Sequence, residues 1–427
     1  MLAQAGQVSV QLIDSIMVGH VGTVELAASS FANSVFIVGL VFGMGFTFGI
    51  TPLVGKALGE NKERRVGELL KNSVVLNTII SVFLFIILFS ISFLMPQMGQ
   101  PQLVVDLAIP YFRLLVVSVF PFLIFFTFKQ FLEGLGKTKV ATIVIIVSNL
   151  LNIILNYLFI FGHLNFPVLG LYGAGIATLI SRIVMPIILI YWFFQSKYYV
   201  KYKTYILFNK LKFSELKELF FFSLPIGLQI IIEVIAFAAG GIMMGWFGEI
   251  PLAAHQIALG IATFTFMITS GIGSATTIRI SYQFGQSKFK ELKMAGKASV
   301  HMALLIMSLT GLSFYFFRNL LPKIFTEDSR VIELASELLI LAAIFQIVDA
   351  IQLVSISALR GLSDIKFALW VSVISYGILA LGTSYLFAFI LDFGPQGIWI
   401  GYVIGLSFAS VIFYSRFIRL VNKYLQT

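Results

Sequence analysis

Apolar runs of 18 or more residues recur along the whole length of this sequence. A helical run of that length matches the hydrocarbon thickness of a bilayer. Of the 427 residues, 59% are hydrophobic and 11% are charged, which is more apolar surface than a soluble protein of this size can bury. Because the runs are apolar on every side and do not alternate with period two, they indicate membrane-spanning helices rather than barrel strands.

We therefore predict an all-α integral membrane protein with twelve transmembrane helices. The predicted spans are residues 2–20, 26–55, 69–94, 103–132, 139–162, 168–196, 219–245, 251–283, 295–317, 331–359, 366–391 and 395–418. Five prolines lie in these spans or at their ends, where a missing amide donor bends a helix. They are Pro52, Pro110, Pro121, Pro186 and Pro225.

The basic residues are distributed unevenly between the connections. Of the 29 Lys and Arg residues, 24 lie in alternate connections and near the C-terminus. The intervening connections contain neither residue, except for the one from Arg318 to Arg330. The positive-inside rule places the basic connections and both termini in the cytoplasm. The net charge of +10 is then a topogenic signal that contacts anionic lipid headgroups, and no nucleic-acid partner is expected.

An internal repeat divides the chain. At an offset of 226, the residues that are identical between 17–62 and 243–288 include Met17, Gly19, Gly22, Leu26, Ala27, Ala28, Gly45, Thr51, Gly59 and Lys62. The offset becomes 227 at Leu132, Gly134 and Lys139, and 228 at residues 157–159. We predict two six-helix bundles, 1–205 and 206–427, related by an axis along the membrane normal. The counterpart of Pro225 would fall upstream of Met1, so the first span looks short, either because the true start lies upstream or because the first helix is trimmed.

Acidic residues inside the predicted spans are few, and they include Asp14, Glu233 and Asp349. A carboxylate at membrane depth is costly and usually faces a bundle interior or a wet cavity. A carboxylate that can be empty, protonated or paired with a cation suits ion-coupled transport, so all three are candidate ion-coupling residues. The alternative is a structural polar pair that holds helices together. The repeat partners of these acids are not acidic, which predicts that the two halves have different roles.

Other polar residues in the spans are candidates for a cavity lining. Asn149, Asn152 and Asn156 share one face of the fifth span, and Gln4, Gln7 and Gln11 form a stripe with Asp14 in the first. His255 and Gln256 begin the eighth span, and Arg113 and Arg182 are intramembrane cations that snorkel or pair with an acid. Amides bind ions or carboxylates, but they also join helices, and a packing role is equally consistent with the pattern.

Several classes of function are excluded or disfavoured. The chain has no cysteine, so it has no disulfide and no thiolate metal site. It contains no phosphate-binding loop, nucleophile elbow or H-E-x-x-H motif, which argues against ATP-driven pumping and against an enzyme. No cofactor is expected besides a coupling ion.

Several motifs resemble those of the multidrug and toxin extrusion (MATE) family, in order and over nearly the whole chain. These are Asp14 to Gly22 with Glu25 to Ala28, Gly45 to Gly59, Ala253 to Gln256, Ser274 to Arg279, and Leu359 to Gly361 followed by Asp364. The presence of both Glu233 and Asp349 is similar to the bacterial NorM-type branch. The resemblance implies that Glu233 and Asp349 take part in cation coupling, with Na⁺ as a possible bound metal ion. It also implies that Asp14 corresponds to the acidic residue in the first span of the family.

The resemblance further implies a secondary antiporter that exports small organic, often cationic, compounds while Na⁺ or H⁺ enters. We expect a monomer in the bacterial inner membrane that works by alternating access. The alternative is a lipid-linked oligosaccharide flippase of the same superfamily, in which Arg113 and Arg182 would face the substrate.

Overall fold

The computed structural model describes residues 13–208 and 211–426. Within these ranges every regular element is helical, and eleven helical segments are long and apolar enough to cross a membrane. The all-α membrane fold is thereby confirmed. Of the first predicted span, residues 13–19 are helical (α1), and its earlier residues lie outside the described ranges together with Gln4, Gln7 and Gln11.

The helices of the first half follow the predicted spans closely. In chain order they are α2 (Thr23–Thr47), α3 (Ile50–Gly59), α4 (Glu63–Ile91), α5 (Gln102–Gly134), α6 (Lys139–Phe161) and α7 (Gly170–Gln195), followed by the linker helix α8 (Val200–Phe208). The predicted span 26–55 is interrupted between α2 and α3. Pro52 lies in the first turn of α3, where a helix tolerates the missing donor.

The second half has the same order of long helices. They are α9 (Phe213–Gly245), α10 (Glu249–Gly285), α11 (Phe289–Phe317), α12 (Ser329–Gly361), α13 (Ile365–Ser372), α14 (Leu381–Tyr385) and α15 (Pro395–Gln426). Two π-helical segments interrupt the eleventh predicted span: π1 (Val373–Ala380) before α14 and π2 (Leu386–Ile390) after it. A π turn is wider than an α turn and occurs frequently at functional sites.

The described residues form two compact units, one up to Gly227 and one from Leu228 onward. The start of α9 belongs to the first unit because it is tied to α4 by polar contacts. Arg65 forms ion pairs of 3.3 Å with Glu215 and 2.8 Å with Glu218, and the Asn72 amide donates to Glu215 at 2.7 Å. These contacts lie at the ends of helices that the charge distribution places in the cytoplasm.

Matched positions of the predicted repeat make matched contacts within each unit. A methyl group on Gly134 would come within 2.7 Å of Val54, and one on Gly361 would come within 2.9 Å of Ile280. In both units a threonine also donates a hydrogen bond to a backbone carbonyl of the helix that carries this glycine. Thr51 donates to Gln130 in the first unit, and Thr277 donates to Ser357 in the second. The glycines permit close approach of the two backbones, as small residues do in membrane helix packing.

Candidate functional site

The two acids of the second unit lie close to each other. Glu233 lies on α9 and is partly buried, and Asp349 lies on α12 with 5% of its surface exposed. The two carboxylates interact electrostatically across the helix pair. The structure thus brings together the two residues that the sequence singled out on separate spans. Two carboxylates in one buried site repel each other unless a cation or a proton lies between them.

A guanidinium lies near Glu233, one member of this acid pair. Arg360 is in the last turn of α12, and its Nη2 donates to Oε1 of Gln229 at 2.9 Å. Gln229 precedes Glu233 by one turn of α9, and the charge of Arg360 acts on Glu233. Among the residues that the structure describes, Arg360 forms no direct ion pair with an acid, and its Nε has no hydrogen-bond partner.

Sequence reasoning missed Arg360, because it belongs with the basic residues of a connection that is predicted to be cytoplasmic. Two features of the sequence could have identified this site. Gln229 and Glu233 are four residues apart on one helix and therefore share a face. Arg360 also lies in one of the motifs that carry the family resemblance, between Leu359 and Gly361.

Tyr376 completes the acid site of the second unit. It lies in π1, is 1% exposed, and its hydroxyl interacts with Glu233, Asp349 and Arg360. Its ring packs edge-on against Phe237 with 6.2 Å between the centroids. Its hydroxyl lies within hydrogen-bonding reach of Glu233, so the phenol is part of the same polar site.

The first unit has a single acid with an amide partner. Nδ2 of Asn156 donates to Oδ1 of Asp14 at 2.5 Å and also lies 3.3 Å from Oδ1 of Asn152. Asn152 and Asn156 are both buried, at 3% and 0% exposure. Asn149 lies one turn earlier on α6 and is partly buried. The polar face predicted for the fifth span therefore points inward over its last two asparagines and meets Asp14.

This acid also has a guanidinium nearby. The charge of Arg182 acts on Asp14, and its Nη1 donates to Oγ of Ser118 at 2.7 Å. The guanidinium lies 5.3 Å from the ring centre of Phe36 and 4.9 Å from that of Phe122, within cation–π range. Of the two arginines named from the sequence, Arg182 thus accompanies an acid.

Arg113 has a different environment. Its Nε donates to Oγ of Ser92 at 3.3 Å, and its guanidinium lies over the rings of Phe89 and Phe93. These partners belong to the end of α4 and the turn after it. The contacts are those of a cation that snorkels toward the membrane surface.

His255 and Gln256 lie on different sides of α10. His255 is fully buried, and its Nδ1 accepts a hydrogen bond from Nε1 of Trp399 at 3.1 Å. Gln256 is exposed. Over the described residues, no group of three or more His, Asp or Glu side chains could hold a metal ion in the manner of a resident metal site.

Comparison with known sequences connects these features to a family. The family model described as MatE matches residues 1–158 and 225–386. The chain is 31% identical over 430 residues to the probable multidrug resistance protein NorM of Agrobacterium fabrum, covering 100% of this chain and 92% of the relative. It is 30% identical over 421 residues to the multidrug resistance protein NorM of Vibrio cholerae, covering 97% and 92%.

Comparison with solved structures gives the same architecture. An outward-facing multidrug resistance MATE family transporter of the MOP superfamily matches with a TM-score of 0.90 at 23% identity, covering 100% of this chain and 94% of that one. A MATE structure in the bent conformation matches with a TM-score of 0.91 at 22% identity, with the same coverage. At these identities the similarity establishes the fold alone.

Proposed function

Because this chain belongs to the MATE family, we propose that it is a secondary antiporter that exports small organic cations in exchange for inward Na⁺ or H⁺. It is a multi-pass membrane protein with bacterial relatives that are named for multidrug resistance. The proposal includes a monomer that works by alternating access, with both termini in the cytoplasm. The observation that carries it is the buried acid pair formed by Glu233 and Asp349.

The acid pair has the properties that reversible cation binding requires. Uncompensated charge inside a membrane protein is expensive, so the pair favours a bound cation or proton. The site must also release that ion, and binding that is too strong would prevent turnover. Carboxylate oxygens suit Na⁺, and the same oxygens accept a proton. Asp14, with Asn152 and Asn156, supplies a separate polar site in the first unit.

The exchange would be driven by the chemical gradient of the coupling ion. One monovalent cation that enters while one monovalent organic cation leaves moves no net charge. The membrane potential, worth roughly 2.3 kcal/mol per charge per 100 mV, then contributes nothing. A tenfold ion gradient supplies about 1.4 kcal/mol. ATP plays no direct part in this scheme, and no chemical bond is made or broken.

The test is transport by purified protein in liposomes, with Na⁺ and pH gradients imposed separately. We expect ethidium efflux to be driven by at least one gradient, and Glu233→Gln or Asp349→Asn to lower it by about tenfold or more, since each removes a carboxylate from the pair. Glu249→Gln is the matched control, because Glu249 is exposed at the start of α10. Wild-type efflux in both acid variants would contradict the proposal.

The flippase alternative would use a cationic site for an anionic pyrophosphate. Arg182 lies beside Asp14, and Arg113 lies against the rings of Phe89 and Phe93. These contacts do not favour an anion site, and the exporter remains the proposal.

A further inference from the structure

We propose that Arg360 is a built-in counterion that competes with the coupling cation for the acid pair, so that the second unit binds one monovalent cation in each cycle. This inference rests on the proposed antiport. It assigns to Arg360 a positioning role, in which its charge sets how tightly the coupling cation is held. In this view, the formal charges of this one site determine how many coupling ions are bound in each cycle.

The anchoring of Arg360 supports this role. Its hydrogen bond to Gln229 holds the guanidinium one turn away from Glu233 on the same face of α9. From there its charge acts on Glu233 without a direct ion pair between described residues. A direct bidentate pair would occupy the carboxylate oxygens. In the observed arrangement the guanidinium stabilises the charged carboxylate without pairing directly with its oxygens.

The charges of the site determine how many cations it holds. The titratable and charged groups that face Glu233 are Asp349 and Arg360 from α12 and Tyr376 from π1. With both acids ionised and Tyr376 neutral, the formal charges sum to −1. One monovalent cation or one proton neutralises the site. A second would leave an excess positive charge in a buried environment, which is costly.

The first unit provides the contrast. Its acid, Asp14, has the guanidinium of Arg182 nearby, and the formal charges there sum to zero. That site needs no additional cation to be neutral. We therefore assign the ion-binding step to the second unit, while Asp14 is held by Asn156 and balanced by Arg182.

Arg360 also favours release of the cation. When the ion leaves, the guanidinium partly compensates the emptied carboxylates, so the ion-free state is less costly than it would be for the acids alone. The sequence places this end of α12 toward the cytoplasm, where the coupling ion is discharged. Removal of the guanidinium should therefore strengthen ion binding and slow turnover.

The experiment compares Arg360→Gln with Arg360→Lys in liposomes, measuring efflux against the concentration of the ion that drives the wild type. We expect Arg360→Gln to lower the half-saturating ion concentration by about tenfold, the effect of one unit charge near the site, and to lower the maximal rate. Arg360→Lys keeps the charge and should stay within about threefold of the wild type. Arg419→Gln removes an exposed arginine of the same unit and should change neither value.

Gln229→Leu provides a test that does not remove a charge. It removes the hydrogen bond that anchors Arg360. We expect it to lower the half-saturating ion concentration, as Arg360→Gln does, but by a smaller factor. Equal losses of rate in all three site variants, with an unchanged half-saturating concentration, would overturn the inference while leaving the antiport intact. Ion-independent efflux by the wild type, or full activity of Glu233→Gln, would instead overturn the proposed function itself.

Discussion

At the scale of single residues, His255 is a buried polar side chain with one specific hydrogen-bond partner. Its Nδ1 accepts from Trp399, and the two rings pack edge-on with 5.7 Å between their centroids. The tautomer with the proton on Nε2 is therefore the one that this hydrogen bond selects. Both side chains are fully buried. The contact joins α10 to α15 inside the second unit.

We expect Trp399→Phe to lower the free energy of unfolding by about 1–3 kcal/mol, because a buried acceptor loses its donor. Thermal unfolding in detergent measures the change. Trp370→Phe is the control, since Trp370 is 68% exposed. Efflux per folded molecule should be retained in both variants. A loss of efflux with unchanged stability in Trp399→Phe would show that His255 takes part in transport, as one of the sequence-based hypotheses holds.

The acids of the candidate site were predictable from the sequence, and their basic partners were only partly so. Carboxylates inside apolar runs are conspicuous because burying them is costly. Arg360 lies near a helix end, where basic residues are expected for topology, and its role beside Glu233 is therefore not evident from the sequence. Tyr376 was missed because an aromatic residue in an apolar span carries no signal of its own. The pairing of Asp14 with Asn156 depends on how α1 and α6 pack, which periodicity alone does not determine.

At the scale of elements, α15 packs unusually close to the helix before it. A methyl group on Gly401 would come within 2.2 Å of Oγ and 2.3 Å of the backbone nitrogen of Ser384. On Gly405 it would come within 2.6 Å of the backbone oxygen of Ser375. Backbone atoms cannot move aside as a flexible side chain can. The two helices are therefore held together by backbone contact along a line of glycines.

We expect Gly401→Ala to destabilise the second unit by about 1–3 kcal/mol, the usual cost of overpacking. Gly382→Ala is the matched control in the same helix pair, because nothing lies within 4 Å of its added methyl group. The control should be neutral or stabilising by up to about 1 kcal/mol, through helix propensity. Detergent melting curves distinguish the two, and equal stability of both variants would contradict the packing argument.

The order and type of the long helices were predicted well, because hydrophobic length determines both. The boundaries differ where helices continue past the membrane. The third predicted span began at residue 69, whereas α4 begins at Glu63 and carries charged residues in its first turns. Hydropathy marks the membrane-embedded part, and the polar ends are helical because their backbone hydrogen bonds continue. The π segments were not predicted, since an apolar run has the same composition in either helix type.

At the scale of the whole molecule, the charge distribution predicts the orientation in the membrane. Because the sequence has no cysteine, a single introduced cysteine is the only site for a thiol reagent. Gln97 lies in a connection that we place outside the cytoplasm, and Lys290 lies at the start of α11, which we place inside. Both residues are exposed.

We expect a membrane-impermeant maleimide to label Gln97→Cys in intact cells and Lys290→Cys only after the membrane is opened. Labelling of both after permeabilisation is the control for reactivity. The reverse pattern in intact cells would invert the predicted topology and would place the Arg360 end of α12 outside the cytoplasm. The direction of ion release that we infer depends on this result.

The π1 segment has a consequence for the history of the gene. The offset of the predicted repeat rises from 227 to 228 between Lys366 and Tyr385, and Val373–Ala380 lies in the middle of that interval. A π turn accommodates one additional residue without breaking the helix. Three nucleotides added to one copy after duplication would turn the remainder of a regular α-helix by about 100°, and a π turn absorbs that rotation. Such an insertion makes two copies of one ancestor locally different, and Tyr376 lies within the segment concerned.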